Sequence, residues 1–458
     1  MNYIFKYKIL SPLLIITVFS VSCNKYLEKK PDASLVVPSN LTDLQGILDD
    51  AGVMNTTVTP SYGETSSDDY FLPSSTFKAL TAGNQKYYTW QQFDYTFGND
   101  WSKCYLPIYN ANVCLEAIQK IPKTGFNVSQ WENIKGAALF YRAYYFLWLS
   151  WTYAKAYDEK SAASDLGIVL RLGTDFNVAS FRESVLKTYD RIIEDAKEAV
   201  TLLPDNSNHP FRPSKTAAYG LLARTYLSMG RYNEAGAYAD SVLQLKATLM
   251  DYNDDADING NVGVGLPFKR FNKEILFYTE MNTSFSVHVP ARGRVDTTLY
   301  SSFAEDDLRR IAFFKIAGGY PQFKGSYASS VNILFSGIAI DEMYLIRSEC
   351  NARLNRINEA MNDLNTLLKM RWKNTAVYPI HTASNMDEAI NRIMTERRKE
   401  LLMRGLRWID VKRLNMEGRS IIMKRNIEGE EVQLLPNSEF YALPLPVDII
   451  SISGILQN

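Results

Sequence analysis

Glu396 and Glu400 stand four residues apart, one helical turn, so both would project from one face. Carboxyl groups about 5–5.5 Å apart are what retaining glycoside hydrolysis requires, and this spacing permits it. The same stretch carries Arg397, Arg398, Arg404 and Arg407. Arginines beside both carboxylates keep them ionised and leave no general acid. The segment therefore reads first as an ion-pair network holding its helix to a scaffold, and only second as a glycosidase site. A second acidic run, Asp255-Ala256-Asp257-Ile258-Asn259-Gly260, fits the opening of a calcium loop, with oxygen ligands at positions 1, 3 and 5 and glycine at 6. Position 12 is Leu266, not a bidentate glutamate. A solvated acidic turn is the leading reading, and a calcium site on Asp255, Asp257 and Asn259 the alternative. No other cofactor is expected. Asp68-Asp69-Tyr70 reads either as an Asx-type turn or as a polar wall of a binding site.

Histidine and cysteine usage removes whole classes of chemistry. Only His209, His288 and His381 occur, widely scattered, which argues against zinc and Ser-His-Asp catalysis. Cys104, Cys114 and Cys350 show no metal-ligand spacing and are predicted to be small core residues. The 50 basic and 50 acidic residues balance, which argues against a nucleic-acid partner.

Cys23 carries a different chemistry. Lys6 and Lys8 precede a mostly apolar run, Ile9 to Val21, and small Ser22 stands before the cysteine. The run is too short to cross a hydrocarbon core, which takes about 20 residues, but it suits a secretory signal. The arrangement predicts a lipoprotein signal over residues 1–22, cleavage before Cys23, and acylation of its thiol and new amine. Several acyl chains anchor a protein stably, at about 0.8 kcal/mol per buried CH₂.

The elements that must position these groups are mainly helical. Helices are predicted at about Leu41 to Leu48, from Trp101, from Gln130 to Tyr157, from Lys187 to Leu203 and from Met386 to Met403. Pro107 is expected to kink the Trp101 helix or to mark its true start. Between Ser214 and Leu245, Tyr219, Leu222, Ala223, Tyr226, Ala235 and Ala239 fall at tetratricopeptide positions around a turn at Gly230. The pattern recurs 125 residues later, with Tyr344 for Tyr219, Ser348 for Ala223 and Asn355 for Gly230. Such pairs must stack on neighbours to bury their apolar faces. Residues 61–99 and 250–335 are loop-like and rich in aromatic rings, and the tail is expected to be irregular.

These features together are similar to the SusD/RagB family of Bacteroidota outer-membrane lipoproteins. The resemblance rests on Cys23 to Pro31, on Tyr105 to Asn112, on Phe140 to Leu147 and above all on Glu396 to Arg413; Leu443 to Ile449 adds to it. The chain departs from the pattern at Ser453 and at its Asn458 end. The resemblance implies about four tetratricopeptide-like hairpins beside a variable lobe. The scaffold is expected at about 101–250 and 336–415, and the lobe at about 40–100, 251–335 and 416–458, all within one domain over 23–458. It also implies a lipid-anchored protein at the cell surface that captures a nutrient, typically a glycan, for a TonB-dependent transporter of the SusC type. A peptide ligand is the alternative, and a pure protein-docking scaffold a further one.

Sugar recognition needs flat apolar faces against C–H surfaces, with amides and carboxylates for hydroxyls. On that basis the ligand candidates are Tyr62, Asp69, Tyr70, Tyr87, Trp90, Tyr300 and Tyr327, with Tyr320 nearby in the later loops. Trp148 and Trp151 sit on a helix apolar all round and are predicted to be core.

Overall fold

The computed structural model describes residues 38–284 and 287–458. The predicted signal over 1–22 and the acylation of Cys23 lie outside the described residues. The helices of eight or more residues are labelled here in chain order. They are α1 (Leu41–Leu48), α2 (Asp100–Ile118), α3 (Val128–Tyr153), α4 (Val185–Leu202) and α5 (Lys215–Ser228), then α6 (Tyr232–Leu245), α7 (Ile340–Arg353), α8 (Ile357–Lys369), α9 (Met386–Glu400) and α10 (Arg407–Met416).

Each helix packs on its successor from α2 to α8, and α9 lies against α7 and α8. The central member is α3, buried without interruption from Gly136 to Tyr153, Trp148 and Trp151 included. An ion pair ties it to its neighbours: Arg142 donates to both Asp195 oxygens on α4 at 2.7 Å and to Asn112 on α2 at 3.1 Å. Cys104, Cys114 and Cys350 are free and buried, as their spacing predicts.

The α5–α6 and α7–α8 hairpins realise the repeat. Gly230 takes φ +70° in the first turn and Asn355 takes φ +60° at the matching place in the second. Asparagine enters the left-handed region more readily than other side chains, so the shared geometry survives the change of residue. Pro107 sits well inside α2 and marks no start. The start is set by a capping box, in which Asn99 accepts from the Ser102 amide and Ser102 from the Asn99 amide.

Two sequence expectations fail at the C-terminal end. The helix predicted to reach Met403 stops at Glu400, because Met403 and Gly405 take φ +59° and +77°, and α10 then begins at Arg407. The tail predicted to be irregular holds an antiparallel hairpin of strands Met423–Ile427 and Glu430–Leu434. Its two central residues, Glu428 and Gly429, both have positive φ, as a type I′ turn requires. A glutamate there gives no sequence signal for such a turn.

The remaining strands are short and pair two by two. They are β1 (Tyr70–Phe71) with β5 (Arg294–Val295), β2 (Leu166–Val169) with β3 (Arg182–Ser184), β4 (Ile275–Phe277) with β8 (Ile338–Ala339), and β6 (Phe314–Ala317) with β7 (Tyr320–Phe323). The tail hairpin supplies β9 and β10. Apolar side chains gather in two clusters. The larger lies among the helices, and the second joins Tyr70, Phe268, Phe313, Tyr327 and Phe335 beneath the loops and short strands. Among the described residues no helix is long and apolar enough to cross a membrane.

Candidate functional site

The carboxylate pair on α9 belongs to a buried charge network. Glu396 accepts from Arg309 at 2.5 Å and from Lys399 at 2.8 Å. Glu400 accepts from Arg309 at 3.0 Å and from Arg371 at 2.8 Å. Arg371 also grips both oxygens of Glu274 at 2.9 Å. Burial opposes ionisation of Glu396, but Arg309 and Lys399 outweigh it and hold the carboxyl down at about 2. Glu396 has no proton to lend at neutral pH, so it is unsuited to be the acid that glycoside hydrolysis needs. The same segment locks the fold elsewhere: Arg413 pairs with Glu349 of α7 at 2.6 Å, and Arg397 with Asp410 of α10 at 2.8 Å.

The acidic turn at 255–259 is likewise satisfied from within. Asp255 takes the Lys273 ammonium at 2.8 Å, and Asp257 accepts the Lys273 amide at 2.7 Å. Asn259 turns its amide nitrogen to the Leu266 carbonyl at 2.9 Å. Burial works against the Asp255 anion, yet Lys273 and two backbone amides keep its carboxyl below the ordinary value. The residues do not fit a calcium cage, because a lysine already fills the place of the cation. Among the described residues no cluster of three or more His, Cys, Asp or Glu is arranged for a metal.

Most of the predicted ligand rings face inward. Tyr62 packs edge-on against Tyr87 at 4.7 Å, and Tyr87 stacks on Phe93 at 4.5 Å. Tyr70 is buried and donates to the Thr65 carbonyl at 2.8 Å. Trp90 donates to the Ser66 carbonyl at 2.9 Å. The Arg425 guanidinium on β9 lies 4.8 Å from the Trp90 ring and 3.6 Å from that of Tyr88. Tyr327 donates to Glu274 at 2.8 Å beneath the Arg404 guanidinium. Asp69 is held by Arg398 at 2.9 Å, and Asp68 by Arg407 at 2.7 Å. These side chains are occupied by packing or ion pairs and leave no open face for a ligand. Of the seven predicted residues, Tyr300 alone keeps substantial exposure.

The structure instead presents rings on the β6–β7 hairpin and its neighbour β1. Gly318 and Gly319 form the turn with φ +60° and +81°, which brings Ala317 and Tyr320 into register. Tyr320 is 44% exposed and meets Phe71 of β1 edge to face at 5.2 Å. Strand alternation explains this choice: Tyr70 points into the core, so Phe71 points out. Beside this pair, Arg294 of β5 donates to the Ala317 carbonyl at 3.2 Å and fixes the hairpin against β5. Tyr300 lies by the other face, against Phe314 at 5.2 Å, with the Arg310 guanidinium 5.2 Å from its ring. Phe71 and Tyr320 thus form one ring pair between β1 and the hairpin, Tyr300 stands at the hairpin's other face, and arginines flank both. Such a surface offers flat apolar faces with donors at the edge and no acid–base pair. Sequence reasoning reached Tyr300 and Tyr320 but missed Phe71. The Gly-Gly step between alternating residues is the signal that points to this hairpin.

Comparison with known proteins agrees with this architecture. A family pattern described as "Starch-binding associating with outer membrane" matches residues 25–227, and one described as "SusD family" matches residues 313–443. SusD-like protein P2 of Formosa agariphila is 24% identical to the chain, with 99% of each covered. A crystal structure of a SusD superfamily protein from Bacteroides thetaiotaomicron superposes with a TM-score of 0.73 at 21% identity, covering 92% of this chain and 99% of that one. The structure of a laminarin-binding SusD-like protein superposes with a TM-score of 0.65 at 19% identity, covering 91% and 97%. One pattern matches within the first half of the chain and the other within the second, and on these matches the chain belongs to the SusD family.

Proposed function

We propose that this chain is a non-catalytic lipoprotein of the outer cell surface that binds a glycan and passes it to a TonB-dependent transporter of the SusC type. Helices at about 101–250 and 336–415 serve as its scaffold, and the intervening loops carry recognition. The observation that carries the binding reading is the pair of exposed Tyr320, on a hairpin held by β5, and half-buried Phe71 on β1. The laminarin-binding relative and the outer-membrane family description support a glycan as the ligand. The buried Glu396–Arg309–Glu400 network supports binding without turnover.

Calorimetry with laminarin, starch oligosaccharides and a peptide panel tests the reading. Saturable glycan binding without hydrolysis is expected, and Tyr320→Ala should weaken it about tenfold, the loss of roughly 1.4 kcal/mol of ring contact. Binding of peptides alone, or release of reducing sugar, would refute it. Mass spectrometry of the amino terminus tests the anchor, and an unacylated Cys23 would remove that part of the proposal.

A further inference from the structure

A second cavity, of about 470 Å³, shares no residue with the aromatic hairpin. It lies between the loop after α3, the C-terminal half of α10 and the segment 437–441. This volume falls in the range of small-molecule sites, roughly 300–1,000 Å³. Lys412, only 2% exposed, lines it. Its ammonium donates to the carbonyls of Trp151 at 2.8 Å and Ala154 at 2.6 Å. An ammonium has three N–H groups, and the third has no acceptor among the described residues. Among them no carboxylate pairs with it either. It stands apart from the other buried cations near it, since Arg397 and Arg413 both hold acids. A buried charge without a counter-ion is costly, and burial accordingly lowers the Lys412 amine to about 7.

The remaining groups around the cavity have the opposite character. Among the described residues the exposed Glu439 carboxylate has no partner, and that of Asp158 accepts only the Lys160 amide at 3.1 Å. Asp165 is paired with Lys155 at 3.2 Å and accepts the Ser161 hydroxyl at 2.6 Å. Tyr441 and Met416 add apolar surface. A ligand that suits all of these needs one anionic group for Lys412, hydroxyl donors for Glu439 and Asp158, and C–H faces for Tyr441. A neutral sugar would leave the lysine uncompensated, and a polyanion would be repelled by the two free carboxylates.

We propose that this cavity binds a small sugar acid, its carboxylate on Lys412 and its ring hydroxyls donating to Glu439 and Asp158. The test is calorimetry of the full-length chain with sodium glucuronate, and with glucose as the uncharged counterpart. Glucuronate should bind at least about tenfold more tightly than glucose, as one charge-assisted contact implies. Lys412→Met should abolish that preference, and Glu439→Gln, which replaces a charged hydroxyl acceptor by a neutral one, should weaken glucuronate about threefold. Tyr320→Ala should leave glucuronate binding unchanged, so failure at the hairpin and failure here are separable. Equal affinity for the two sugars, no saturable glucuronate binding, or a Lys412→Met variant that keeps the preference would overturn the proposal. Should Lys412→Met fail to fold, an unchanged or tightened glucuronate affinity in Glu439→Gln would overturn it equally.

Discussion

Replacing Glu64 by glutamine should stabilise this protein at neutral pH, although it removes an ionisable residue from a buried network. Glu64 sits in the short helix Tyr62–Ser66, essentially without solvent contact. It accepts the Gly405 amide at 2.8 Å and the Ser67 hydroxyl at 3.4 Å. Among the described residues no lysine or arginine pairs with it, because Arg398 and Arg407 are taken by Asp69 and Asp68. Burial, and then the nearby Asp69, push its carboxyl from 4.5 up to about 8. The folded chain therefore keeps a proton that the unfolded chain loses above 4.5. Stability falls as pH rises through that window and the loss is complete near pH 8. Each tenfold change in proton affinity is worth about 1.4 kcal/mol, so by pH 7 the loss amounts to ~3 kcal/mol. Glutamine presents the same oxygen to Gly405 and has no proton to lose. Urea unfolding of both proteins from pH 4 to 8 should show similar stability at pH 4, with the variant ahead by ~3 kcal/mol at pH 7. A difference that stays constant across the range would refute the reasoning, for it would mean that Glu64 titrates alike in the folded and unfolded chains.

Glu400→Gln leaves Arg309 and Arg371 short of a buried counter-charge and should cost ~3 kcal/mol in the same unfolding assay. Gly230→Ala forces a side chain into φ +70° and should cost about 1 kcal/mol, whereas Asn355→Gly at φ +60° should change stability by under about 1 kcal/mol. Equal costs at these two matched turns would show that backbone conformation does not set them. Arg425→Met removes the cation above Tyr88 and Trp90 and its bonds to the Thr65 and Ser67 carbonyls, so it should lower stability by ~2 kcal/mol. Near-ultraviolet circular dichroism would follow the loosened rings.

What the sequence determined by itself is periodic and local. The spacing of Tyr219, Leu222, Ala223 and Tyr226 predicts the α5–α6 hairpin, and Asn355 marks its second copy because asparagine shares glycine's access to the left-handed turn. The arginines around Glu396 and Glu400 predict an ion-pair network, and one forms, although the arginines that meet these two carboxylates are the distant Arg309 and Arg371. Composition likewise shows that the loops hold rings. It does not show which way those rings point. Tyr70 and Phe71 are neighbours, yet one lies in the core and the other opens to solvent. The partners that decide this arrive from far along the chain: Arg425 closes over Trp90, Arg398 takes Asp69, and Tyr320 meets Phe71. The same holds for Lys412, whose isolation depends on the C-terminal end of α3 supplying carbonyls and no carboxylate. Burial and pairing are sums over neighbours distant in sequence, and only the tertiary structure brings those neighbours together.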